Sequence, residues 1–534
     1  MEARRGAAAT FWLLLLMSAS LQHIQGLRIL MATMGGTKSH TVPFAALGKQ
    51  LQLRGHNVTL ASGFRGTVPP NSTLRELVSV RLEEYITNYT ATWDLVGSRI
   101  RNEWPLSPWD AMRYGWESCD SLLGDEYSVA LLQNPEGDPR LAWDVALVDG
   151  AFPECLLGVL HRGAGANADP PVPTIMLNTV ALYTGSLSRQ GNPTPWSLRT
   201  YFGKAFTQDM NFFDKLRNAF YMGSLEFMHW IMTTKYIQPI LRKHLGDQVP
   251  DVRELVSEVP LTLQNSHYAV ADAQPFLPNV VNVACIHCVQ PAPVNEALDK
   301  FLEAGFVFVS MGSSVKESGM PRELIDAFVH VLSSLPYNVV WKWDGGFIPN
   351  LPPSVRVGPW WPQQDLLGHR GLRAFVSHGG LLSLHEAAYH GAPTLVLPVF
   401  CDHDGNAAQA AKLGYALVME FETFTAAEFR ENLLKVASPD PSNPYRLAAK
   451  KRSELLKDVP MSAVNMSVWW VEHVARHRGA DHLKSSARHI GLLQYYCFDV
   501  LGFYLAVLCA SYWLVKRFIG KFKSRRRKLK LKES

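Results

Sequence analysis

A chain of 534 residues is too long for a single ordinary hydrophobic core, so two large domains are expected. Its composition, 47% apolar and 19% charged, excludes a disordered protein. The formal net charge is +5, but residues 516–534 alone carry +9, which leaves the rest of the chain at −4. Basic charge confined to a tail argues against nucleic-acid binding by the body of the protein.

The first 26 residues have the features of a secretory signal. Arg4 and Arg5 form a basic start, residues 11–17 form an apolar core, and small or polar residues follow up to Gly26. A retained membrane anchor is the alternative, although the apolar run is short for a membrane span.

The first half of the chain alternates short apolar runs with helical patterns, which is typical of βαβ units with buried parallel strands. Residues 180–260 interrupt this alternation with aromatic-rich sequence that predicts helices and loops. The predicted elements of this half are strands at 28–32, 57–61, 145–148 and 174–177 and a helix at 43–53.

The same alternation restarts after a proline-rich linker at residues 275–293. Thr425 and Glu428 form a capping box that opens a late helix, and another helix is predicted at 462–476. The repeated alternation predicts two Rossmann-like domains. A ligand cleft is expected between them, because open α/β sheets bind ligands at the carboxyl ends of their strands. Further predicted elements are strands at 306–310, 339–341, 374–376 and 394–397 and a helix at 321–335.

Residues 360–407 contain the most informative motif, WWPQQDLLGH followed by FVSHGGLLSLHEAAYHGAPTLVLPVFCDHDGNA. A predicted strand runs into Gly379 and Gly380, which let backbone N–H groups approach a ligand closely. The N-terminus of the following helix favours a phosphate. This order of elements predicts a nucleotide-sugar pocket.

The carboxyl-terminal region predicts a membrane anchor. Residues 491–515 contain one charge, Asp499, and are long enough to span a bilayer. The basic tail 516–534 then fits the cytosolic side, which places the body in the lumen. Lys530 and Lys532 resemble a dilysine retrieval signal for the endoplasmic reticulum, although the density of lysines also allows a chance match. Sequons that agree with lumenal exposure occur at Asn57 (in a predicted strand), Asn71, Asn88 and Asn465.

Five cysteines precede the anchor. Their odd number excludes complete internal pairing and gives no disulfide framework. Cys285 and Cys288 form a CxxC pair with no second pair, so neither a zinc site nor a redox role is expected. The five are Cys119, Cys155, Cys285, Cys288 and Cys401.

The motif at 360–407 resembles the donor-binding signature of the UDP-glycosyltransferase family, and the similarity extends over essentially the whole mature chain. The resemblance implies an α/β protein with the GT-B fold, two Rossmann-like domains facing a cleft, plus a C-terminal transmembrane helix. The expected parts are a signal at 1–26, an acceptor domain at 27–280, a UDP-sugar domain at 281–455, a return helix packing on the first domain at 456–490, a transmembrane helix at 491–515 and a cytosolic tail at 516–534.

The implied reaction moves a sugar from UDP to an acceptor hydroxyl, which needs a base for the hydroxyl proton. His40 follows the first strand at the cleft edge, and imidazole titrates near neutral pH. Asp149 ends another strand at the same edge and is expected to hold His40 in one tautomer and stabilise its imidazolium form. Asp144, just before that strand, is the weaker alternative.

The resemblance also assigns contacts to the donor. No metal is expected, because the sequence Asp402-His403-Asp404 resembles a DxD metal signature but begins a helix, which favours sugar contact. No cofactor is expected beyond the UDP-sugar co-substrate. The assigned contacts are Trp360 stacked on uracil, Gln363 on the nucleoside, Glu386 on the ribose hydroxyls, His378, Gly380 and Ser313 on the diphosphate, and Asp402 and His403 on the sugar.

Four positions depart from the family pattern. Leu382 and Gln364 each replace an Asn, an Arg is missing before Phe276, and His403 replaces a Gln in a way that resembles ceramide galactosyltransferase. The donor sugar therefore stays open between glucuronic acid and galactose or glucose. Losing one phosphate hydrogen bond at Leu382 costs about 1–3 kcal/mol if the site is buried, which weakens turnover without abolishing it.

Two functions fit the sequence. The first is an inverting transferase acting on a lipophilic hydroxylated small molecule or lipid, which aromatic-rich residues at 85–125 and 180–230 are expected to bind. The second is a non-catalytic relative that binds nucleotide-sugar or lipid and regulates partners, an alternative motivated by Leu382. The membrane is an expected partner, nucleic acid is not, and association into homo- or hetero-oligomers is left open.

Overall fold

Two parallel β-sheets, one from each half of the chain, organise the protein. The computed structural model describes residues 26–68, 72–133, 143–163, 172–179, 186–316 and 319–530. Nearly all of the expected signal sequence, the sequon at Asn71 and the end of the dilysine motif lie outside the described residues.

The first sheet has seven strands: β1 Arg28–Ala32, β2 Asn57–Ser62, β3 Arg75–Val78, β4 Val145–Asp149, β5 Thr174–Asn178, β6 Leu261–Gln264 and β7 Val280–Asn282. All are parallel, in the order β3-β2-β1-β4-β5-β6-β7. The central strands β4 and β5 are buried at every residue, because apolar side chains cover both faces of the sheet.

The second sheet has six strands: β8 Phe306–Ser310, β9 Asn338–Lys342, β10 Val355–Gly358, β11 Leu372–Ser377, β12 Thr394–Val396 and β13 Ala416–Val418. Their order, β10-β9-β8-β11-β12-β13, repeats that of the first six strands. The strand order reverses between β1 and β4 in one sheet and between β8 and β11 in the other. Ligand crevices of doubly wound sheets form at such switch points, at the carboxyl ends of the strands.

Helices cover both sheets. In the first half they are α1 Thr41–Leu53, α2 Val80–Ala91, α3 Leu95–Ile100, α4 Pro108–Leu123, α5 Glu126–Gln133, α6 Pro153–Gly163, α7 Ser186–Arg189, α8 Phe212–Ile231, α9 Gln238–Leu245 and α10 Val252–Ser257. In the second half they are α11 Glu296–Glu303, α12 Arg322–Ser333, α13 Gln363–Leu367, α14 Leu381–His390, α15 His403–Lys412, α16 Ala426–Ala437, α17 Pro444–Lys457 and α18 Ala463–Arg476, followed by α19 Leu492–Tyr495 and α20 Phe498–Lys530.

Two helices cross between the halves. Helix α18 follows the second half but buries Val468, Val471 and Val474 in the core beneath the first sheet. His56 Nε2 lies 3.2 Å from Glu472 Oε1, which adds a polar contact to this packing. Conversely, Leu95 of α3 belongs to the core of the second half. Each half therefore completes a core of the other.

The eight strands predicted from the sequence are all present, within two residues at each end. Strands β3, β6, β7, β10 and β13 were not predicted, because they are three or four residues long and carry little pattern. Thr425 caps α16 as expected, since its side chain accepts a hydrogen bond from Glu428 N, which is one of the two hydrogen bonds of a capping box. Among the described residues 186–260, the regular structure consists of helices, including a π-helical turn at Met232–Ile237.

A disulfide joins Cys119 on α4 to Cys155 on α6. This disulfide could not be predicted from the sequence, because an odd number of cysteines does not show which residues pair. Cys285, Cys288 and Cys401 are free thiols.

One helix in the described part of the chain is long and apolar enough to cross a membrane, Phe498–Arg526, with a mean hydropathy of 1.7. The expected span at 491–515 instead falls on two helices. Helix α19 ends at Tyr495, and Cys497 has a left-handed backbone with φ 54° that separates it from α20. The apolar helix thus begins at Phe498 and continues into the basic segment.

Candidate active site

His40 and Asp149 meet at the switch point of the first sheet. His40 ends a short 3-10 turn after β1, and Asp149 is the last residue of β4. His40 Nδ1 lies 2.7 Å from Asp149 Oδ2, and both side chains are buried. A carboxylate only accepts hydrogen bonds, so Nδ1 carries the proton and Nε2 is left as an acceptor.

The surroundings of this pair hold it in place. Thr179 Oγ1 donates to Asp149 Oδ1 at 3.2 Å, and the Ala151 amide donates to the same oxygen at 3.2 Å. Gly36 has φ 80°, and a Cβ there would lie 2.7 Å from His40 Nε2. Only glycine therefore lets the loop pass so close to the imidazole.

The pKa of His40 is raised above 6.5. Burial lowers it, but the charge of Asp149 and the hydrogen bond to that carboxylate raise it by more, with a smaller contribution from the charge of Asp402. Asp144 is not part of the pair, because its carboxylate accepts from the Arg28 amide at the opposite end of the strands. Of the two aspartates considered from the sequence, only Asp149 contacts His40.

His378 lies at the switch point of the second sheet, directly after β11. Its ring fits between two glycine positions: a Cβ would lie 2.4 Å away at Gly312 and 2.5 Å away at Gly380. Burial lowers the pKa of His378 to about 3, helped by the charge of Lys342, so the imidazole is neutral. Ser313, the next residue after Gly312, lines the same cavity.

Glu386 lies on α14 and is buried. Gln363 Nε2 donates to Glu386 Oε2 at 2.6 Å and to Ser383 Oγ at 3.2 Å. His287 Nε2 lies 3.3 Å from the other carboxylate oxygen. The family resemblance assigned Gln363 and Glu386 to one nucleoside, and the two side chains are hydrogen-bonded to each other.

The two neighbouring tryptophans have different environments. Trp360 is 79% exposed, which leaves its ring open for stacking. Trp361 is partly buried and donates its indole N–H to the Trp341 carbonyl at 3.1 Å. The expectation that Trp361 serves packing agrees with this contact.

Asp402 and Asp404 follow β12, and neither is arranged for a metal. Asp402 Oδ2 accepts from Asn406 at 2.9 Å, and burial raises the pKa of Asp402. Asp404 Oδ1 instead accepts from Arg99 at 2.6 Å. The described residues contain no group of three His, Cys, Asp or Glu side chains that could hold a metal ion.

His403 packs edge-on against His378, with ring centroids 4.7 Å apart. Its Nδ1 accepts a weak hydrogen bond from the Phe400 amide at 3.4 Å. Burial lowers the pKa of His403 well below 6.5, and the charge of Arg99 acts in the same direction. His403 is therefore a neutral side chain.

Two departures from the family pattern have different consequences. Gln364 turns away from the cavity: it donates to the His287 carbonyl at 3.0 Å and accepts from the Val289 amide at 2.8 Å. Leu382 lies on the cavity wall, where it offers no hydrogen bond.

Most of these groups line a single cavity that is partly open to solvent. Its lining includes His40, Ser313, His378, Gly380, Asp402 and His403 together with apolar side chains. Trp360, Gln363 and Glu386 do not line it, although Ser383, which bonds Gln363, does. Asp149 stands behind His40.

Sequence reasoning missed three residues near this site. Thr179 contacts Asp149, His287 contacts Glu386, and Arg99 contacts Asp404. These partners are distant in sequence and carry no local motif, so no spacing rule could find them.

Comparison with known proteins identifies the family. The sequence profile described as "UDP-glucoronosyl and UDP-glucosyl transferase" matches residues 171–532, more than half of the chain. The 2-hydroxyacylsphingosine 1-beta-galactosyltransferase of Rattus norvegicus is 30% identical over 501 residues, covering 91% of this chain and 86% of that protein. UDP-glucuronosyltransferase 2B16 of Oryctolagus cuniculus is 31% identical over 406 residues, covering 74% of this chain and 73% of that protein.

Solved structures agree on the fold. The glycotransferase of kitacinnamycin superposes with a TM-score of 0.56 at 17% identity, covering 84% of this chain and 99% of that protein. Likeness at this identity concerns architecture alone, two facing Rossmann-like sheets in the GT-B arrangement. With this fold and the profile match, the chain belongs to the UDP-glycosyltransferase family and is a UDP-glycosyltransferase.

Proposed function

We propose that this enzyme transfers a hexosyl or glucuronosyl group from its UDP-sugar to a hydroxyl of a lipophilic acceptor, with inversion at the anomeric carbon. The observation that supports this most is the buried His40–Asp149 pair, 2.7 Å apart, on the wall of a cavity that the donor loops also line.

In the proposed reaction, His40 Nε2 takes the proton of the acceptor hydroxyl while the oxygen attacks the anomeric carbon. The new C–O glycosidic bond forms as the C–O bond to the diphosphate breaks, and UDP leaves with the bonding electrons. Asp149 stabilises the imidazolium that results. A single displacement from the face opposite the diphosphate inverts the configuration.

The diphosphate is proposed to bind at the start of α14. The N–H groups after Gly380 and the helix dipole favour negative charge there. Ser313 and the neutral His378 add donors from the neighbouring loops. Stabilisation of a leaving diphosphate by preorganised donors is an electrostatic contribution that grows in a buried site.

The groups around the expected sugar position favour a neutral hexose over glucuronic acid. In the described part of the chain, no Lys or Arg lines the cavity, and His403 is neutral. Two described cations lie beside the cavity without lining it: Lys342 donates to the Gly312 carbonyl at 2.6 Å, and Arg99 is engaged with Asp404 and Glu420. A glucuronate carboxylate would enter this site without a cationic partner, which is costly.

The acceptor is proposed to be a lipophilic molecule with a hydroxyl group. Apolar side chains of the first half line the cavity beside His40, including Trp93, Leu106, Tyr114 and Phe152. The galactosyltransferase relative carries a sphingolipid in its name, which supports a lipid-like acceptor. An acceptor of this kind partitions into the bilayer next to an anchored enzyme.

The proposed location is the membrane of the endoplasmic reticulum, with the two domains in the lumen. Helix Phe498–Arg526 supports the anchor, and the lysines near residue 530 support retrieval. The Cys119–Cys155 disulfide supports an oxidising compartment, because such bonds are rare in the cytosol.

UDP release from a panel of UDP-glucose, UDP-galactose and UDP-glucuronic acid, with a mixture of lipophilic alcohols and phenols, tests this function. We expect release with a neutral hexose donor. His40→Ala should lower it about 10³-fold or more, whereas His161→Ala, a change at an exposed histidine, should leave it unchanged.

The outcomes separate the two candidate functions. UDP release that persists in His40→Ala contradicts the proposed role of His40 as the general base. If no donor gives UDP release while UDP still binds, the result would instead support a non-catalytic relative. The observation behind this alternative is Leu382 on the cavity wall.

A further inference from the structure

A second cavity lies between the two halves of the chain. It is partly open to solvent, and its walls come from residues 198–208 and 264–276 of the first half and 381–385 and 402–415 of the second. Leu381 and Asp402 line both cavities and so form the wall between them. Of the residues with a proposed donor role, only Asp402 lines this second cavity, and its residues 198–208 belong to the aromatic-rich region 180–230 of the sequence.

Four buried polar atoms without a hydrogen-bond partner belong to residues that line this cavity. Asn265 and His385 are 1% and 3% exposed, and Asn265 Oδ1 and His385 Nδ1 have no hydrogen-bond partner among the described residues. Gln274 Oε1 and Gln409 Nε2, from opposite halves, are unpartnered in the same way. Buried polar atoms in folded proteins are nearly always satisfied, so four in one cavity indicate a polar ligand.

His385 and Asp272 bring no net charge to this cavity, which favours a neutral ligand, and Arg199 is the one described Lys or Arg in its lining. Burial lowers the pKa of His385 to about 3, so the ring is uncharged. Asp272 accepts from Lys412 with both oxygens at 3.0 Å, which neutralises it. The Arg199 guanidinium lies over the Phe276 ring, 5.6 Å from its centroid.

The remaining chemistry fits a carbohydrate. The unpartnered atoms include acceptors, Asn265 Oδ1 and Gln274 Oε1, and a donor, Gln409 Nε2. A sugar hydroxyl both donates and accepts, so adjacent hydroxyls can satisfy such a mixed set. Phe202 and Phe206 also line the cavity and offer apolar surface to the C–H face of a pyranose ring.

We propose that this second cavity binds a neutral hexose or hexoside, which contacts both halves of the protein across the cleft. The ligand lies on the far side of the wall formed by Leu381 and Asp402 from the proposed transfer site.

Saturation-transfer NMR on the full-length protein, with methyl β-glucopyranoside and methyl β-galactopyranoside as probes, tests the proposal. The protein is kept in a zwitterionic detergent, because alkyl glycoside detergents carry the same headgroup and would compete. We expect saturable binding of at least one probe that persists with UDP bound. Gln274→Leu and Gln409→Leu should each weaken it about tenfold, the effect of losing one hydrogen bond.

Gln248→Leu is the matched control, since Gln248 is exposed and lies outside the cavity. Both cavity variants remove an unpartnered buried amide, so they should fold with an unchanged or higher thermal midpoint. Absence of hexoside binding to the wild type overturns the proposal. Hexoside binding that both cavity variants retain in full also overturns it, as does hexoside binding that Ser313→Ala in the first cavity abolishes. Specific binding of inorganic phosphate at the second cavity, in place of a hexoside, would overturn it as well.

Discussion

The His40–Asp149 pair determines the protonation state on which the proposed transfer depends. Burial lowers the pKa of His40, but the nearby carboxylate reverses this, and the pKa ends above 6.5. A general base acts only in its neutral form. The rate constant kcat/KM should therefore fall as the pH falls through the raised pKa of His40.

Asp149→Asn tests this directly. Loss of the carboxylate charge lowers the pKa of His40, so the acid limb of kcat/KM moves to lower pH. The plateau falls by about 10²- to 10⁴-fold, because an amide no longer fixes the useful tautomer. A pH profile of kcat/KM measures both effects. Asp144→Asn is the matched control at the far end of the same strand, and an acid limb that does not move in Asp149→Asn contradicts the pairing.

His403 is the residue at which the donor sugar can be tested. It is neutral, buried and packed against His378, and it lines the cavity next to Asp402. Gln stands at this position in the family's glucuronosyl and glucosyl pattern. His403→Gln should thus increase kcat/KM for UDP-glucose relative to kcat/KM for UDP-galactose by about tenfold, which is a typical effect of changing one polar contact. UDP affinity should stay the same. A ratio that does not change would exclude His403 as the selecting residue.

At the level of elements, a disulfide holds two helices of the first half together. Cys119 and Cys155 are fully buried and 36 residues apart in sequence, on α4 and α6. The bond restricts the unfolded chain, which stabilises the folded state relative to it. Helix α4 also carries Tyr114, which hydrogen-bonds the Gly36 carbonyl beside His40. The disulfide thus supports one wall of the cavity.

Replacing both cysteines by alanine should lower the free energy of unfolding by about 3–4 kcal/mol, as expected for a loop of this length. Urea denaturation in detergent, followed by tryptophan fluorescence, measures the loss. Reduction of the wild type should give the same decrease. A denaturation midpoint equal to that of the oxidised wild type would mean that the packing of α4 on α6 suffices alone.

For the whole molecule, the sequence predicted what local patterns encode. Continuous apolar runs predicted eight strands, and the family resemblance, together with the strand-end position of His40, pointed to His40 and His378, which line the same cavity. Contacts between residues that are distant in sequence could not be predicted. For example, the number of cysteines does not show that Cys119 pairs with Cys155. The start of the apolar helix at Phe498 was also missed, because the break at Cys497 is a backbone conformation without an apolar signature.

Arg99, which no motif marks, forms ion pairs between the two halves of the chain. Arg99 lies on α3 of the first half, and its guanidinium reaches Asp404 at 2.6 Å, Glu420 at 2.7 Å and Glu422 at 3.4 Å. Three carboxylates thus converge on a single arginine. Without that cation they would repel one another, and Asp404 would be left buried and unpaired.

Arg99→Ala should therefore lower the free energy of unfolding by about 2–3 kcal/mol, less than for a fully buried pair because two partners are partly exposed. The KM for the donor should rise as well, since Asp404 adjoins His403. Arg101→Ala is the matched control: its partners are at the surface, and no measurable change is expected. Adding Asp404→Asn to Arg99→Ala should recover part of the stability, because the unpaired buried charge is removed. If the thermal unfolding midpoint and the KM for the donor are the same in Arg99→Ala as in the wild type, the ion pairs of Arg99 are not needed. The apolar contacts of Leu95 and Val96 would then be sufficient to hold the halves together.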